Sequence, residues 1–253
     1  MATQLTTTPD PVHKRQPTSR VVFTEGGKGG VGKTAFSSLL VEWYGKQNIL
    51  HTVLDLDTEN KARGSLTHYF PRARKVNIHT SAGLDSFVDV LDDGSPIVIA
   101  DMGAGAGAVA QSWFDSMYSA VEEAGVAFTA IGVVTPDPAS VESVLNWARA
   151  LQHRVQYLIV KNALTDPADF SYWDNDAAAK DFRRVLRPKE ISMEYRLPKV
   201  ENPGRQHGLT LNEIAERHAD IPELQQTTVV MRAQAYRRNL FAELDRVKDL
   251  LLL

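Results

Sequence analysis

The sequence predicts an α/β domain whose central sheet is largely parallel and flanked by helices on both faces. Three observations predict it. From Arg20 onward, short apolar runs alternate with helix-length segments, the order of a parallel sheet wound by crossover helices. Acidic, amide and glycine-rich residues collect just after those runs, at the strand ends where such sheets bind ligands. The 253 residues are 43% hydrophobic, enough for one large core or at most two small ones. We expect one domain over residues 20–253, after a polar, proline-bearing tail over residues 1–19 that reads as disordered.

The elements follow in order. RVVFTE is a buried strand, and KTAFSSLLVEWYGKQ has helical spacing at Phe36, Leu39, Leu40 and Trp43. ILHTVLDLD is a second strand ending in acids. Residues 76–93 read ambiguously, as a short edge strand and a helix. SPIVIADMGAGAG is a strand with a glycine-rich turn, followed by the helix AVAQSWFDSMYSAVEEAG. VAFTAIGVVTPD and VQYLIVKNALTD are strands separated by the helix PASVESVLNWARALQ. Beyond Asp166 the pattern loosens: DNDAAAKDFRRVLR as a helix, ISMEYRLPKV as a late strand, ENPGRQHG as a loop, LTLNEIAER as a short helix. A long helix from Thr227 closes the chain.

Residues 25–36, EGGKGGVGKTAF, carry the chemistry. Gly27, four residues, then Gly32-Lys33-Thr34 is G-x-x-x-x-G-K-T, the phosphate-binding P-loop. Placed between an apolar strand and an amphipathic helix, it makes the expected fold a single P-loop NTPase domain. A helix N-terminus offers unpaired N–H groups and a positive dipole end to phosphate. Gly27, Gly29, Gly30, Val31, Gly32 and Ala35 supply the wrapping backbone, Lys33 the cation for the β- and γ-phosphates, and Thr34 a hydroxyl for Mg²⁺. ATP and Mg²⁺ are therefore the expected ligands. Asp101, ending IVIAD, stands where a Walker B aspartate supports the metal; the alternative is a solvated strand-end aspartate. Asp55 and Asp57 in LDLD fall on one side of a strand end. One suits the metal and the other a water, unless one merely caps the next helix.

KGGVGKT, DLD and IVIADMGAG, in that order and spacing, resemble the deviant Walker A ATPases of the ParA/MinD group. The resemblance covers residues 20–162 well and the remainder weakly. It implies that Lys28, the second lysine of the loop, crosses a dimer interface to the partner's nucleotide, acting as an arginine finger does; otherwise Lys28 is an exposed loop cation. It implies that Asp57 positions the attacking water, with Asp55 beside the metal. It also places Asn162 where relatives carry an asparagine reading adenine, although a plain turn asparagine fits the residue too. By position alone, LPKVENPG would supply backbone contacts to the base from the other side. DLDTEN and DMGAGAG depart from the partition ATPases' usual sequences, so the biological role does not transfer with the motif. Similar chains also serve as accessory ATPases of plasmid transfer. The absence of cysteine excludes a nitrogenase-like iron–sulfur carrier and thiol-bound arsenite.

Members of that group act on a surface. For DNA, the candidate cations are Arg183, Arg184, Arg187 and Lys189, with Arg232, Arg237 and Arg238; the alternative is a solvated charged face. The apolar stripe Leu240, Leu244, Val247 and Leu251, with Phe241 beside it, fits docking on the core better than a membrane, because acids interrupt its polar face. Trp43, Trp113, Trp147 and Trp173 are read as packing residues. No apolar run is long enough to span a bilayer, no signal-peptide core is visible, and a cytoplasmic location fits the missing cysteines. The expected function is an ATP-dependent homodimeric switch, hydrolysing ATP slowly and stimulated by a protein partner, which positions or segregates DNA (plasmid or chromosome partition, or plasmid transfer) or another large cargo. The alternatives are a metabolic P-loop enzyme activating a small acid and a nucleotide-binding regulator with negligible hydrolysis.

Overall fold

The computed structural model describes residues 17–25, 27–58 and 64–253. The strands are β1 (Ser19–Thr24), β2 (His51–Asp55), β3 (Arg74–Lys75), β4 (Ile97–Asp101), β5 (Val126–Val134), β6 (Gln156–Asn162) and β7 (Lys189–Met193). They form one seven-stranded sheet in the order β3-β2-β4-β1-β5-β6-β7, and every pairing in it is parallel. The sheet is thus wholly parallel, where a largely parallel one was expected. Of the expected tail, residues 1–16 lie outside the described residues. Thr18 already donates its N–H to the Gly125 carbonyl at 2.8 Å, tying the chain to the sheet just ahead of β1.

Helices cover both faces because the strands are apolar on both. Along β1, Val21 and Phe23 point to one side and Val22 to the other. The first side packs α3 (Ser81–Asp92), α4 (Gly107–Glu123), α5 (Pro138–Leu151) and α7 (Ala177–Leu186) through Phe87, Phe114, Trp147 and Phe182. The second packs α1 (Lys33–Lys46), α10 (Thr227–Arg246) and α11 (Lys248–Leu251) through Phe36, Leu240, Phe241 and Leu250. Each such side chain contributes about 1.5–3 kcal/mol when buried. The closing helix breaks at Val247 but docks its apolar stripe on the core as expected, with Leu240, Leu244, Val247 and Leu251 all buried. Trp43, Trp147 and Trp173 are buried too, and Trp113 packs edge-on against Phe87. The ambiguous stretch 76–93 contains the helix α3, capped by the Thr80 hydroxyl, while the edge strand β3 lies just before it.

A third, smaller cluster joins α8 (Pro198–His207), α9 (Leu211–Ala215) and α10 around Val200, Ile214 and Ala233. Here the sequence reading needs correction. Residues expected as strand end and loop form α8, with Pro198 in its first turn, Pro203 inside it and Gly208 in left-handed conformation at its end. Pro203 removes one backbone donor, yet tertiary packing of Val200 and Gly204 outweighs that loss. Two short helices complete the fold. α2 (Leu66–Tyr69) precedes β3, and α6 (Ser171–Asn175) precedes α7, whose N-cap Asp176 accepts from the Ala179 N–H. No helix among the described residues is long and apolar enough to cross a membrane.

Candidate nucleotide site

The loop between β1 and α1 is the expected P-loop. Gly27, Gly30 and Gly32 have φ of 115°, 76° and 99°, a region disfavoured for any side chain. At Gly32 a Cβ would also lie 2.4 Å from the Asn162 amide nitrogen, so no other residue fits. Helix α1 starts at Lys33 without a side-chain cap, which leaves its first-turn N–H groups for an anion. Lys33 is buried and its ammonium donates to the Lys28 carbonyl at 2.8 Å, inside the loop. Lys28 itself points elsewhere. Its N–H donates to the Ser143 hydroxyl at 3.2 Å, and its ammonium pairs with Asp137, the N-cap of α5, at 3.2 Å.

The three acids occupy distinct surroundings. Asp101, at the end of β4, is fully buried; its Oδ1 accepts from Ser37 at 2.7 Å and Thr24 at 3.1 Å, and the Thr34 hydroxyl bonds to it as well. Its Oδ2 has no hydrogen-bond partner among the described residues. Burial raises its carboxyl to about 6, against the downward pull of the three hydroxyls. Asp55 is as deeply buried but fully engaged: Asp57 N–H (3.1 Å) and Lys75 (3.3 Å) reach Oδ1, and Ser65 Oγ and Thr67 N–H (3.0 Å) reach Oδ2. Asp57 lies two residues further on, just past the end of β2, buried, with Gly103 pressed against it. A Cβ at Gly103 would come within 2.5 Å of the Asp57 carboxylate, which accounts for the glycine in DMGAGAG.

A cavity of about 400 Å³ gathers these parts. Gly29, Gly30, Gly32, Lys33, Thr34 and Ala35 line it, as do Asp57 and Asn162. It continues under the α8–α10 cluster, past Tyr69, Arg196, Glu201 and Tyr236. That size suits a small-molecule ligand such as a nucleotide. Asn162 is buried and donates its amide to the Val31 carbonyl at 2.8 Å, so part of its hydrogen-bonding capacity braces the P-loop. The far wall was visible in the sequence only as the segment LPKVENPG. Leu197 and Val200 of that segment do line the cavity, but Tyr69 and Tyr236, from distant parts of the chain, carry no local signal. Thr24 and Ser37, the Asp101 partners, were also missed; position four after Lys33 on α1 was the available hint for Ser37.

No family model matches the chain, and no curated protein does. Solved structures do. The MinC:MinD cell division protein complex of Aquifex aeolicus aligns over 89% of this chain and 97% of its own, at 14% identity and a TM-score of 0.52. MinD of the same organism aligns over 89% and 98%, at 13% identity and 0.51. A ParA family ATPase from Chlorobium tepidum TLS aligns over 88% and 99%, at 11% identity and 0.54.

The fold is the ParA/MinD fold. On this fold the expected DNA-facing cations are dispersed and mostly paired with acids. Arg183 pairs with Asp174 (3.7 Å) and Glu190 (4.0 Å) and stacks on Trp173; Arg184 pairs with Asp181, Lys189 with Asp249 at 2.6 Å, and Arg237 with Glu216 at 2.9 Å. Arg187, Arg232 and Arg238 are exposed.

Proposed function

We propose that the protein is a cytoplasmic ATPase switch that dimerises with ATP bound and hydrolyses it slowly, under stimulation by a protein partner. One observation carries the reading: the P-loop and Asp57 line a single cavity, and Asp101, hydrogen-bonded to Thr34, keeps a second carboxyl oxygen without a partner among the described residues. Lys33 and the loop amides hold the phosphates, and Asp57 orients the water that attacks the γ-phosphorus as its bond to the bridging oxygen breaks. Thr34 and Asp101 fit Mg²⁺, since a buried carboxyl oxygen without a donor calls for a cation or its bound water. Bound there, the ion would neutralise phosphate charge. Lys28 serves the partner's nucleotide, and the output is a change of partner, DNA or another large cargo, between nucleotide states. The Aquifex MinD structure that is similar to this chain holds MinC, which supports a protein partner of some kind.

Calorimetry with ATP tests the reading. Wild type should bind, and Lys33→Ala should lose tight binding because the cation at the β- and γ-oxygens is gone. Unchanged affinity in that variant overturns the P-loop assignment.

A second reading draws on the far end of the cavity. Arg196, paired with Glu201 at 2.8 Å, and the Tyr236 hydroxyl, without a hydrogen-bond partner among the described residues, would suit a small acid activated by ATP. ADP release that depends on an added carboxylic acid, without nucleotide-dependent dimers, would favour that enzyme. A regulator without hydrolysis would bind ATP, dimerise and release no phosphate.

A further inference from the structure

We infer that Asp55, Ser65 and Lys75 form a positioning cluster that holds Asp57 in place, rather than part of the metal site. The inference rests on the role of Asp57 proposed above.

Occupancy comes first. A carboxylate offers about four lone-pair directions, and Asp55 meets four donors: two N–H groups, one hydroxyl and one ammonium. Nothing remains for a metal-bound water. Charge says the same. Lys75 stands beside Asp55 in register on β3, and its ammonium also reaches Ser65 Oγ at 2.8 Å. The neighbouring Asp101 is the one with a carboxyl oxygen, Oδ2, left without a hydrogen-bond partner among the described residues.

Placement then gives the cluster its role. Asp55 does not line the cavity, whereas Asp57 and Gly64 do. The chain leaves the Asp55 carboxylate through the Asp57 N–H and returns to it at Ser65 and Thr67. Asp57 on one side and Ser65 and Thr67 on the other are thereby pinned to one buried point. The Leu56 N–H adds a third support by donating to the Asp101 carbonyl at 2.9 Å. Lys75, partly exposed at the sheet edge, keeps the pin charged and oriented. None of these groups touches the reacting atoms; they act through Asp57.

The test measures phosphate release, ATP affinity and the half-saturating Mg²⁺ concentration for wild type, Lys75→Met, Lys75→Arg and Asp55→Asn/Lys75→Met. Displacing a reacting group by an ångström costs up to ~100-fold in rate, so Lys75→Met should lower kcat by roughly tenfold. ATP affinity and the Mg²⁺ requirement should stay within about twofold, since Lys33, Thr34 and Asp101 are untouched. Lys75→Arg should recover most of the turnover, and the double variant should exceed Lys75→Met, because no buried carboxylate is left without its cation. A Mg²⁺ requirement that rises in step with the lost turnover returns Asp55 to the metal and overturns the inference. Unchanged turnover in Lys75→Met overturns it alone; a wild type without turnover overturns the ATPase reading and this one together.

Discussion

Asp55 and Asp101 stand opposite one another on neighbouring parallel strands, both fully buried, and Asp55 has the Lys75 ammonium beside it while Asp101 Oδ2 has no hydrogen-bond partner among the described residues. The difference sets their chemistry. Asp101 rises from 3.8 to about 6 because burial penalises its charge. A raised value means that the folded chain keeps a proton which the unfolded chain has released. Its contribution to stability is complete below about 3.8 and is lost as pH climbs through about 6. Asp101→Asn removes that dependence. Without Mg²⁺ and nucleotide, the variant's midpoint relative to wild type should therefore improve between pH 5 and pH 7.5, as followed by thermal denaturation. In the wild type with ATP, the Mg²⁺ needed for half-saturation should rise below pH 6, where a proton competes for the same oxygen. A pH-independent offset between the two proteins would refute the assignment of Asp101 as an uncompensated acid.

A second buried acid gives a cleaner stability test. Glu42, on α1, accepts from the Asn212 N–H at 2.8 Å while its other oxygen has no partner among the described residues. Burial raises it to about 7 from 4.5. By the same sign, its contribution is present at pH 4.5 and lost as pH rises through 7. Glu42→Gln retains an acceptor for Asn212 and never ionises. The variant should match wild type near pH 5 and exceed it at pH 8.5 by on the order of 1–3 kcal/mol in urea unfolding. Equal stability at pH 8.5 would show that the carboxylate finds a partner when charged.

The dispersed arginines limit what DNA binding can look like. Four of the seven candidate cations are already in ion pairs, leaving Arg187, Arg232 and Arg238 exposed. Each phosphate contact contributes about −0.9 to the slope of log affinity against log salt, so three give a slope near −3. Duplex retention by the ATP-bound protein should follow that shallow slope, without sequence preference, and weaken when Arg187 and Arg238 become Glu. A slope of about −6 or steeper would mean that the ion pairs open on DNA, and no retention at low salt would remove DNA as the cargo.

Much of this was legible in the chain because one strong local signal sat at each point. Val21–Val22–Phe23 reads as a buried strand, and Gly27 to Thr34 reads as a phosphate-wrapping loop. What was not legible was tertiary. Pro203 and Gly204 argue locally against a helix, and α8 forms because Val200 and Gly204 pack on Ile214 and Leu209. Asp55 and Asp57 look equivalent in LDLD. Their surroundings differ because Lys75, twenty residues on, returns to the sheet edge beside Asp55. Ser65 and Lys75 carry no motif of their own. Tyr236 enters the cavity from the closing helix, where sequence periodicity reports only an apolar stripe.

The remaining prediction concerns Lys28. In the single chain its ammonium rests against Asp137, both side chains being more than 40% exposed, so the pair is solvent-screened and easily surrendered. Asp137→Asn should therefore change ATP-dependent dimerisation by no more than about threefold. If Lys28 serves the partner's nucleotide, Lys28→Ala should still bind MgATP as a monomer, because Lys33, Thr34 and the loop amides remain. What it loses is two cross-interface contacts per symmetric pair. Charge-assisted contacts contribute ~1.5–3 kcal/mol each. Losing both weakens the dimer by roughly two to four orders of magnitude at 1.4 kcal/mol per tenfold, read by sedimentation with ATP. Mixing sharpens the test. Asp57→Ala supplies an intact Lys28 but cannot orient water, and Lys28→Ala keeps its own Asp57. In a mixed dimer the Lys28→Ala subunit regains a complete site, so turnover should return although neither variant has it alone. Normal dimerisation of Lys28→Ala, or no turnover from demonstrably mixed dimers, would end the trans role and leave Lys28 a surface cation held by Asp137.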